Sequence, residues 1–330
     1  MQMQTTTIPK PPGLVSTLAK GFDAIANHIT IIILPVALDL FLWLGPKIRL
    51  ETLLQPLLKQ MTTANLPASV GLPDPATLQQ MWTDFISGFS LLSIVRTFPL
   101  GVTSLMSTSL PGATPLGTPA SLEVTSFSAL ISAWIGLALL GWLLGSIYYF
   151  WIAGVTAPAE EEHSFNRSFM QSILMSLTWF GMALVVGIPL MLVLSVLLVI
   201  SPAVAQVAVF ILLLFGVWMM MPVFFSPHGI YIYGQNAFAS IMQSLKVIRF
   251  TLPSSGTFLL VCLLINEGLG YLWAVPPQDS WLTLIAIIGH GFVSTALVAS
   301  TFIYYREVNT WLKIVMEKLQ VMQKPSPPMV

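Results

Sequence analysis

Residues 177–200 read LTWFGMALVVGIPLMLVLSVLLVI, an uninterrupted apolar block without one charged side chain. A transmembrane α-helix needs about 20 consecutive, mostly apolar residues, so this block is long enough to cross a bilayer. A second block, residues 207–225, follows after only six residues. Such a short connection turns the chain straight back, and the two blocks together predict a membrane-spanning helical hairpin.

Six apolar blocks of this kind stand out, and the charged residues lie almost entirely between them. The whole chain of 330 residues is 55% hydrophobic and only 8% charged, whereas soluble domains carry about 25% charge. We therefore predict an all-α integral membrane protein with about six transmembrane helices and the lipid bilayer as its partner. The zero net charge argues against nucleic acid as a partner. The predicted spans are 29–44, 124–153, 177–200, 207–225, 254–275 and 281–303.

The basic residues predict the orientation, because cytoplasmic loops carry an excess of Lys and Arg. With the N-terminus inside, the cytoplasmic segments hold nine of the 13 basic residues, and the short outer loops 201–206 and 276–280 hold none. Both termini are therefore expected in the cytoplasm. The other four basic residues lie in the segment 45–123, which follows the first span.

The segment 45–123 is predicted to be external and to contain amphipathic helices. Two apolar stripes, within residues 47–61 and 78–89, have helical spacing and fit helices that lie in the membrane interface, although Pro56 interrupts the first. Residues 90–106 are apolar enough to enter the membrane as a re-entrant segment. Arg96 and Pro99 argue against a seventh span, and the sequence leaves re-entrance open.

A six-residue motif occurs twice, as SFMQSI at 168–173 and as SIMQSL at 240–245. Each copy belongs to a predicted amphipathic elbow on the cytoplasmic face (164–176 and 236–252), and a hairpin of two spans follows each elbow. The interfacial helix 14–27 fits a third, divergent elbow, and residues 306–322 predict a last cytoplasmic amphipathic helix. Internal repeats occur in transporters, but duplication also builds scaffolds.

Three stretches carry a family resemblance: NAFASIMQSLKVIR at 236–249, TFIYYR at 301–306 and LPVALDLFLWLGP at 34–46. They resemble the six-helix membrane domain found beside bacterial glycerophosphodiester phosphodiesterases, and related uncharacterised bacterial integral membrane proteins. The resemblance implies a six-helix fold in a bacterial-type plasma membrane and no established chemistry. The 330 residues contain no phosphodiesterase catalytic domain.

Four polar residues inside or near the spans form a candidate intramembrane site. Asp39 lies mid-span, where a buried carboxylate is energetically costly. One hypothesis makes it a binding site for a proton or a cation. The other makes it a carboxyl group that is hydrogen-bonded to a neighbouring helix or reached by water through a local membrane defect. Glu267 is a coupling carboxylate or, as we favour, a residue of the outer interface. His290 is a ligand or a hydrogen-bonded packing group. Arg96 pairs with one of these carboxylates, binds lipid phosphate or snorkels to the surface.

Other polar residues give weaker signals. Arg167, Lys246 and Arg249 lie at the level of the inner headgroups and are candidate lipid-phosphate contacts. The acidic run 160–163 is either a divalent-cation site or, as we favour, a solvated turn. His228 falls in a predicted inner loop, and Gly141 and Gly145 have the GxxxG spacing that permits close helix approach, to another span or to a second copy.

No catalytic motif is present: the sequence lacks HExxH, GxSxG, a P-loop and GxGxxG. We expect no enzyme activity, no metal and no cofactor. The first hypothesis is a binding, accessory or assembly component whose partners are lipid and either other membrane proteins or a second copy. The alternative is a transporter of small solutes or lipid that uses Asp39, Glu267 or His290, and an intramembrane enzyme has the least support. A water-accessible cavity lined by those residues would favour transport, and a dry, paired core would favour the first hypothesis.

Overall fold

A computed structural model describes residues 9–56, 75–108, 112–156 and 164–323. The acidic run 160–163 and residues 57–61, the last third of the first predicted interfacial stripe, lie outside the described residues. Within them, long helices dominate, with one two-stranded pair. The elements are α1 (Leu14–Asn27), α2 (Ile33–Leu44), β1 (Lys47–Arg49), α3 (Pro75–Ser87), β2 (Ser121–Glu123), α4 (Phe127–Thr156), α5 (Phe165–Ile200), α6 (Pro202–Tyr233), α7 (Ala237–Trp273) and α8 (Leu282–Gln323).

Five of these helices, α4 to α8, are long and apolar enough to cross a membrane, and the bent pair Leu14–Asn27 and Ile29–Leu44 makes up to six. The protein is therefore a helical, multi-pass membrane protein, as the apolar blocks predict. The block 29–44 begins as a 3₁₀ segment (Ile29–Ile32) before α2. At about 2.0 and 1.5 Å per residue, the block reaches about 26 Å, slightly less than the hydrocarbon core of about 30 Å.

The predicted elbows and spans do not appear as separate helices. Helix α5 runs without a break through both 164–176 and 177–200, and α8 contains both the last span and the cytoplasmic helix 306–322. No proline or glycine stands at either boundary, so nothing interrupts the backbone hydrogen bonds there. Helix α7 does lose helical geometry at Thr251 (φ −127°, ψ 20°). Pro253 follows two residues later and removes one backbone donor from the helix.

The chain divides into two compact units, and the first combines residues 1–28, 149–265 and 296–330. In this unit α1 lies directly on α8, because Gly21 leaves room for Ser300 and the backbone of Ala296. The Ser300 hydroxyl donates to Leu18 O at 3.3 Å, and Lys20 Nζ pairs with Glu307 Oε1 at 2.5 Å. These contacts fix the N-terminal helix to the last helix of the chain.

The second unit combines residues 29–148 and 266–295. Where the apolar stripe predicts a helix from Lys47, the structure instead has β1, which pairs in parallel with β2 (Lys47↔Ser121, Ile48↔Leu122, Arg49↔Glu123). Helical backbone starts only at residue 51. Leu50, Leu91 and Val124 form a buried cluster beside the strands, so burial of these side chains outweighs the helical periodicity.

Residues 90–106 are folded into the second unit rather than spread over its surface. Leu91, Leu92, Val95, Leu100 and Val102 are all buried. The backbone of this segment packs against the small-residue face of α4: a Cβ added at Gly145 would lie 3.1 Å from Gly101 Cα, and one at Gly141 would clash with Val95 O. The two glycines with the GxxxG spacing therefore pack against a non-helical segment of the same chain, whereas the spacing predicts close approach of another helix.

Candidate functional site

Asp39, on α2, is the best-enclosed charged residue of the second unit, with 0% of its surface exposed. Its Oδ1 accepts hydrogen bonds from Ser104 Oγ at 2.5 Å and from the Met106 N–H at 3.0 Å. Its Oδ2 accepts from the Leu105 N–H at 2.9 Å. Three donors from one short stretch of chain thus converge on a single carboxylate.

The local sequence explains why this stretch needs an acceptor. Residues Met106–Thr108 form a short 3₁₀ turn, and the first N–H groups of any helical turn lack partners within it. Ser104 Oγ accepts from the Ser107 N–H at 3.0 Å, which caps one of these groups. The Asp39 carboxylate receives two others, so it acts as a cap supplied from a distant helix.

His290, on α8, lies beside this carboxylate and is also buried, with 7% exposure. Its Nδ1 is 3.8 Å from Asp39 Oδ2, and this nitrogen has no hydrogen-bond partner. The next residue, Gly291, makes the close approach possible, since a Cβ there would lie 2.9 Å from Val36 Cγ2 of α2. The arrangement is an enclosed acid–base pair that can hold one proton between its two members.

The other two predicted members of the site lie apart from this pair. Arg96 is exposed, and its NH1 donates to Ser107 Oγ at 3.4 Å, at the edge of the same turn. No carboxylate of the described residues is within ion-pair distance of Arg96. Glu267 is exposed and accepts a hydrogen bond from Asn266 Nδ2 at 3.2 Å. The structure therefore joins Asp39 to His290, places Arg96 at the margin and leaves Glu267 outside.

Lys47 is a buried cation that the sequence analysis counts only as a loop charge. Its residue surface is 3% exposed, and its Nζ donates to Leu42 O. Burial lowers the pKa of Lys47 to about 8, because desolvation disfavours the charged form. A lysine just after an apolar block normally snorkels to water, so its position in the sequence carries no signal of this burial.

His228 is a second residue that the sequence places wrongly. It lies inside α6 rather than in a loop, because the helix continues through Pro222 and Pro227 to Tyr233. The imidazole is fully buried, its Nε2 is 2.8 Å from Thr301 Oγ1, and its centroid is 4.4 Å from that of Phe302. Further aromatic rings surround it, from Tyr149, Phe224, Phe225 and Tyr305.

The two copies of the six-residue motif make related contacts in the first unit. Gln171 Oε1 accepts from the Ala237 N–H at 2.8 Å, and Gln243 Nε2 donates to Asn309 Oδ1 at 2.5 Å. Each glutamine therefore contacts the residue that lies 66 positions later. The serines at corresponding positions of the two motifs are all buried: Ser168, Ser172, Ser240 and Ser244.

The candidate lipid-phosphate residues Arg167, Lys246 and Arg249 all have exposed side chains. Within the ranges that the structure describes, no group of three or more His, Cys, Asp or Glu residues has an arrangement suited to a metal ion. Comparison of the chain with protein-family models, with curated proteins and with solved structures finds no match.

Proposed function

We propose that this protein is a lipid-contacting accessory or assembly component of a membrane, built from duplicated elbow-and-hairpin units. The observation that carries the proposal is the state of Asp39, whose two oxygens accept three hydrogen bonds from the segment 104–106. The carboxylate that is the strongest transport candidate in the sequence thus has a complete structural role.

A transport carboxylate has to exchange a proton or an ion with water during each cycle. Asp39 has no exposed surface, and access to its oxygens would require the turn at Ser104 to open. Hydrogen bonds to charged groups contribute about 1.5–3 kcal/mol each, so breaking three of them would cost several kcal/mol. This cost favours Asp39 as a fixed element that fastens residues 104–106 to α2.

Exposed apolar and basic groups support contact with lipid. Helices α5 and α6 present large apolar side chains to the outside, with Val199 at 87% and Val185 at 75% exposure. On the elbow of α7, Lys246 and Arg249 have exposed side chains. Basic residues next to anionic headgroups contribute about 1 kcal/mol each to membrane attraction.

The related contacts of Gln171 and Gln243 support the duplication. A shift of 72 residues carries the first hydrogen-bonded pair, Gln171 and Ala237, onto the second, Gln243 and Asn309. The two glutamines use different atoms, one accepting from a backbone N–H and the other donating to a side-chain oxygen, but contacts at corresponding positions are what a repeated unit would produce. By the same shift of 72 residues, the start of the predicted elbow 236–252 in α7 falls on residue 308, near the start of the predicted cytoplasmic helix 306–322 in α8.

A second candidate function is proton-coupled transport. The observation in its favour is the enclosed pair of Asp39 and His290, whose nearest oxygen and nitrogen are 3.8 Å apart. Ionisable pairs among transmembrane helices occur in proton relays. The two functions make opposite predictions for vesicles that contain the purified protein.

Reconstitution in liposomes with an enclosed pH-sensitive dye tests the proposal against transport. We expect wild type, Asp39→Asn and the control Glu317→Gln, which changes an exposed carboxylate outside the candidate site, to show the same proton leak as empty liposomes. A flux that wild type adds and Asp39→Asn removes would overturn the proposal and establish the transporter.

Lipid contact is tested by native mass spectrometry after mild delipidation. Lys246→Gln/Arg249→Gln should retain less phosphatidylglycerol than the matched double variant Lys10→Gln/Lys313→Gln, which removes two exposed charges elsewhere. Equal retention by the two double variants would count against lipid binding at the elbow.

A further inference from the structure

A small pocket in the second unit brings Lys47 together with several hydroxyl groups. Its interior has room for about one water-sized group, and the pocket opens to solvent on one side. Three of its seven lining residues are serines, and one is the buried lysine. The lining residues are Leu42, Lys47, Ser90, Leu92, Ser93, Met106 and Ser107.

The ammonium group of Lys47 lacks an anionic partner within the described ranges 9–56, 75–108, 112–156 and 164–323. No carboxylate there is within 4.0 Å of Nζ, and the hydrogen bond that Nζ makes goes to the neutral carbonyl of Leu42. An ammonium group has three donors, and burying a charge is costly unless it is paired. The residue is only 3% exposed, so bulk water does little to compensate.

A second cation lies beside this pocket, in contact with one of its lining residues. Arg96 NH1 donates to Ser107 Oγ at 3.4 Å, and Ser107 lines the pocket together with Lys47. Ser93 Oγ, which donates to Ser90 O at 2.8 Å, adds a hydroxyl to the same wall. The protons of the Ser93 and Ser107 hydroxyls already go to backbone carbonyls, so the two cations, one inside the pocket and one beside it, are the donors available to an oxyanion, and phosphate binds such charged donors strongly.

We propose that this pocket binds a phosphate oxyanion and that its source is the headgroup of an anionic phospholipid. The proposal rests on the lipid-contacting function proposed above and names one site for it. Lys47 follows α2 after only Gly45 and Pro46, which places it where the apolar block ends and headgroups begin. Lys47 donates to one phosphate oxygen, and Arg96, beside Ser107 at the edge of the pocket, donates to the exposed side of the group.

The test compares Lys47→Met with Lys47→Arg and with the control Lys313→Met, which removes an exposed lysine. Binding of phosphatidylglycerol and of phosphatidylcholine to detergent-solubilised protein is titrated by native mass spectrometry. Loss of one charge-assisted hydrogen bond should weaken phosphatidylglycerol binding about tenfold. Lys47→Arg and Lys313→Met should stay within about twofold of wild type, because the first keeps a positively charged donor at position 47 and the second leaves Lys47 in place.

A second arm distinguishes lipid from free phosphate. Inorganic phosphate is added to delipidated protein, with sulfate-free chloride buffer of equal ionic strength as the reference, and Tm is measured. A lysine-dependent preference for phosphatidylglycerol without a Tm shift by phosphate supports the lipid headgroup. A saturable Tm shift by phosphate that Lys47→Met removes, without a lysine-dependent lipid preference, retains the oxyanion site and overturns the lipid as its source.

Arg96→Gln and Ser107→Ala are the second line of variants, in case Lys47→Met does not give folded protein. Each should weaken the same interaction by severalfold, because each alters the open side of the pocket. Wild-type affinity for both probes in Arg96→Gln and, where it folds, in Lys47→Met would overturn the inference. If in that case Lys246→Gln/Arg249→Gln still loses phosphatidylglycerol, the proposed function survives without this site. If it does not, both proposals fail.

Discussion

Replacement of Asp39 by alanine is the sharpest test of how the second unit holds together. The change removes the acceptor of three donors: the Ser104 hydroxyl and the backbone N–H groups of Leu105 and Met106. A buried donor left without a partner costs about 1–3 kcal/mol. The three donors together predict a loss of about 3–6 kcal/mol, since Leu105 is only half-buried and water can partly replace its bond.

Asp39→Asn separates hydrogen bonding from charge. The amide oxygen of the asparagine can still accept from the Ser104 hydroxyl and the Met106 N–H, as Oδ1 does in wild type. The amide NH₂ then faces the Leu105 N–H, so two donors meet. One N–H group is left without an acceptor, so we expect a loss of about 1–3 kcal/mol. Glu267→Gln is the control, because Glu267 is exposed, and surface substitutions usually change stability by less than about 0.5 kcal/mol.

The assay is equilibrium unfolding in mixed detergent micelles, read by tryptophan fluorescence, with limited proteolysis as a local probe. The expected order of stability is wild type, then Asp39→Asn, then Asp39→Ala, and cleavage within residues 96–108 should accelerate in the same order. A free energy of unfolding for Asp39→Ala within about 0.5 kcal/mol of the Glu267→Gln value would refute the assignment of Asp39 as a structural cap.

Three further predictions concern other parts of the molecule. Gly141→Leu should destabilise the protein by about 1–3 kcal/mol or more by overpacking, whereas Gly136→Leu should not, because nothing lies within 4 Å of a Cβ at Gly136; thermal unfolding compares them. Burial lowers the pKa of Lys47 from 10.5 to about 8, so between these pH values the unfolded chain binds more protons than the folded protein. The free energy of unfolding should therefore rise with pH in this window, by at most about 3 kcal/mol. A difference in unfolding free energy between wild type and Lys47→Met that does not change with pH over this window would contradict the prediction. Thr301→Val should cost about 1–3 kcal/mol by leaving His228 Nε2 without its partner, and an unchanged melting temperature would show that water replaces the hydroxyl.

The hydrophobic pattern of the sequence is enough to predict the helical, multi-pass class, because each apolar block reports on its own helix. One local boundary agrees as well, because α5 ends at Ile200, the last residue of the predicted span 177–200. Helix α6 instead begins at Pro202, where the sequence analysis predicts an outer loop up to residue 206, and Ser201 caps it with an Oγ that accepts from the Val204 N–H at 3.5 Å. Serine at the N-cap and proline at the first helical position are strong start signals. These features depend on neighbours in the sequence.

The candidate site depends instead on contacts between distant segments. Asp39 and Ser104 are 65 residues apart, and no periodicity relates a position in a span to a turn in the following segment. Lys47 shows the same limit, because its burial follows from how β1 and residues 90–107 fold around it. The family resemblance offers expectations for spans and elbows and none for this segment, so the sequence identifies Asp39 as unusual without identifying its partner.

The parallel pairing of β1 with β2 fastens together the two ends of the long segment between the first span and α4. Lys47 N donates to Ala120 O at 2.8 Å, and Val124 N donates to Arg49 O at 3.0 Å. With both ends clamped, each doubling of the chain length between them changes the closure entropy by only about 0.6 kcal/mol. Insertions or deletions between the strands that spare the buried segment 90–106 should therefore change the stability of the second unit little, and sequence variation among relatives should concentrate outside that segment.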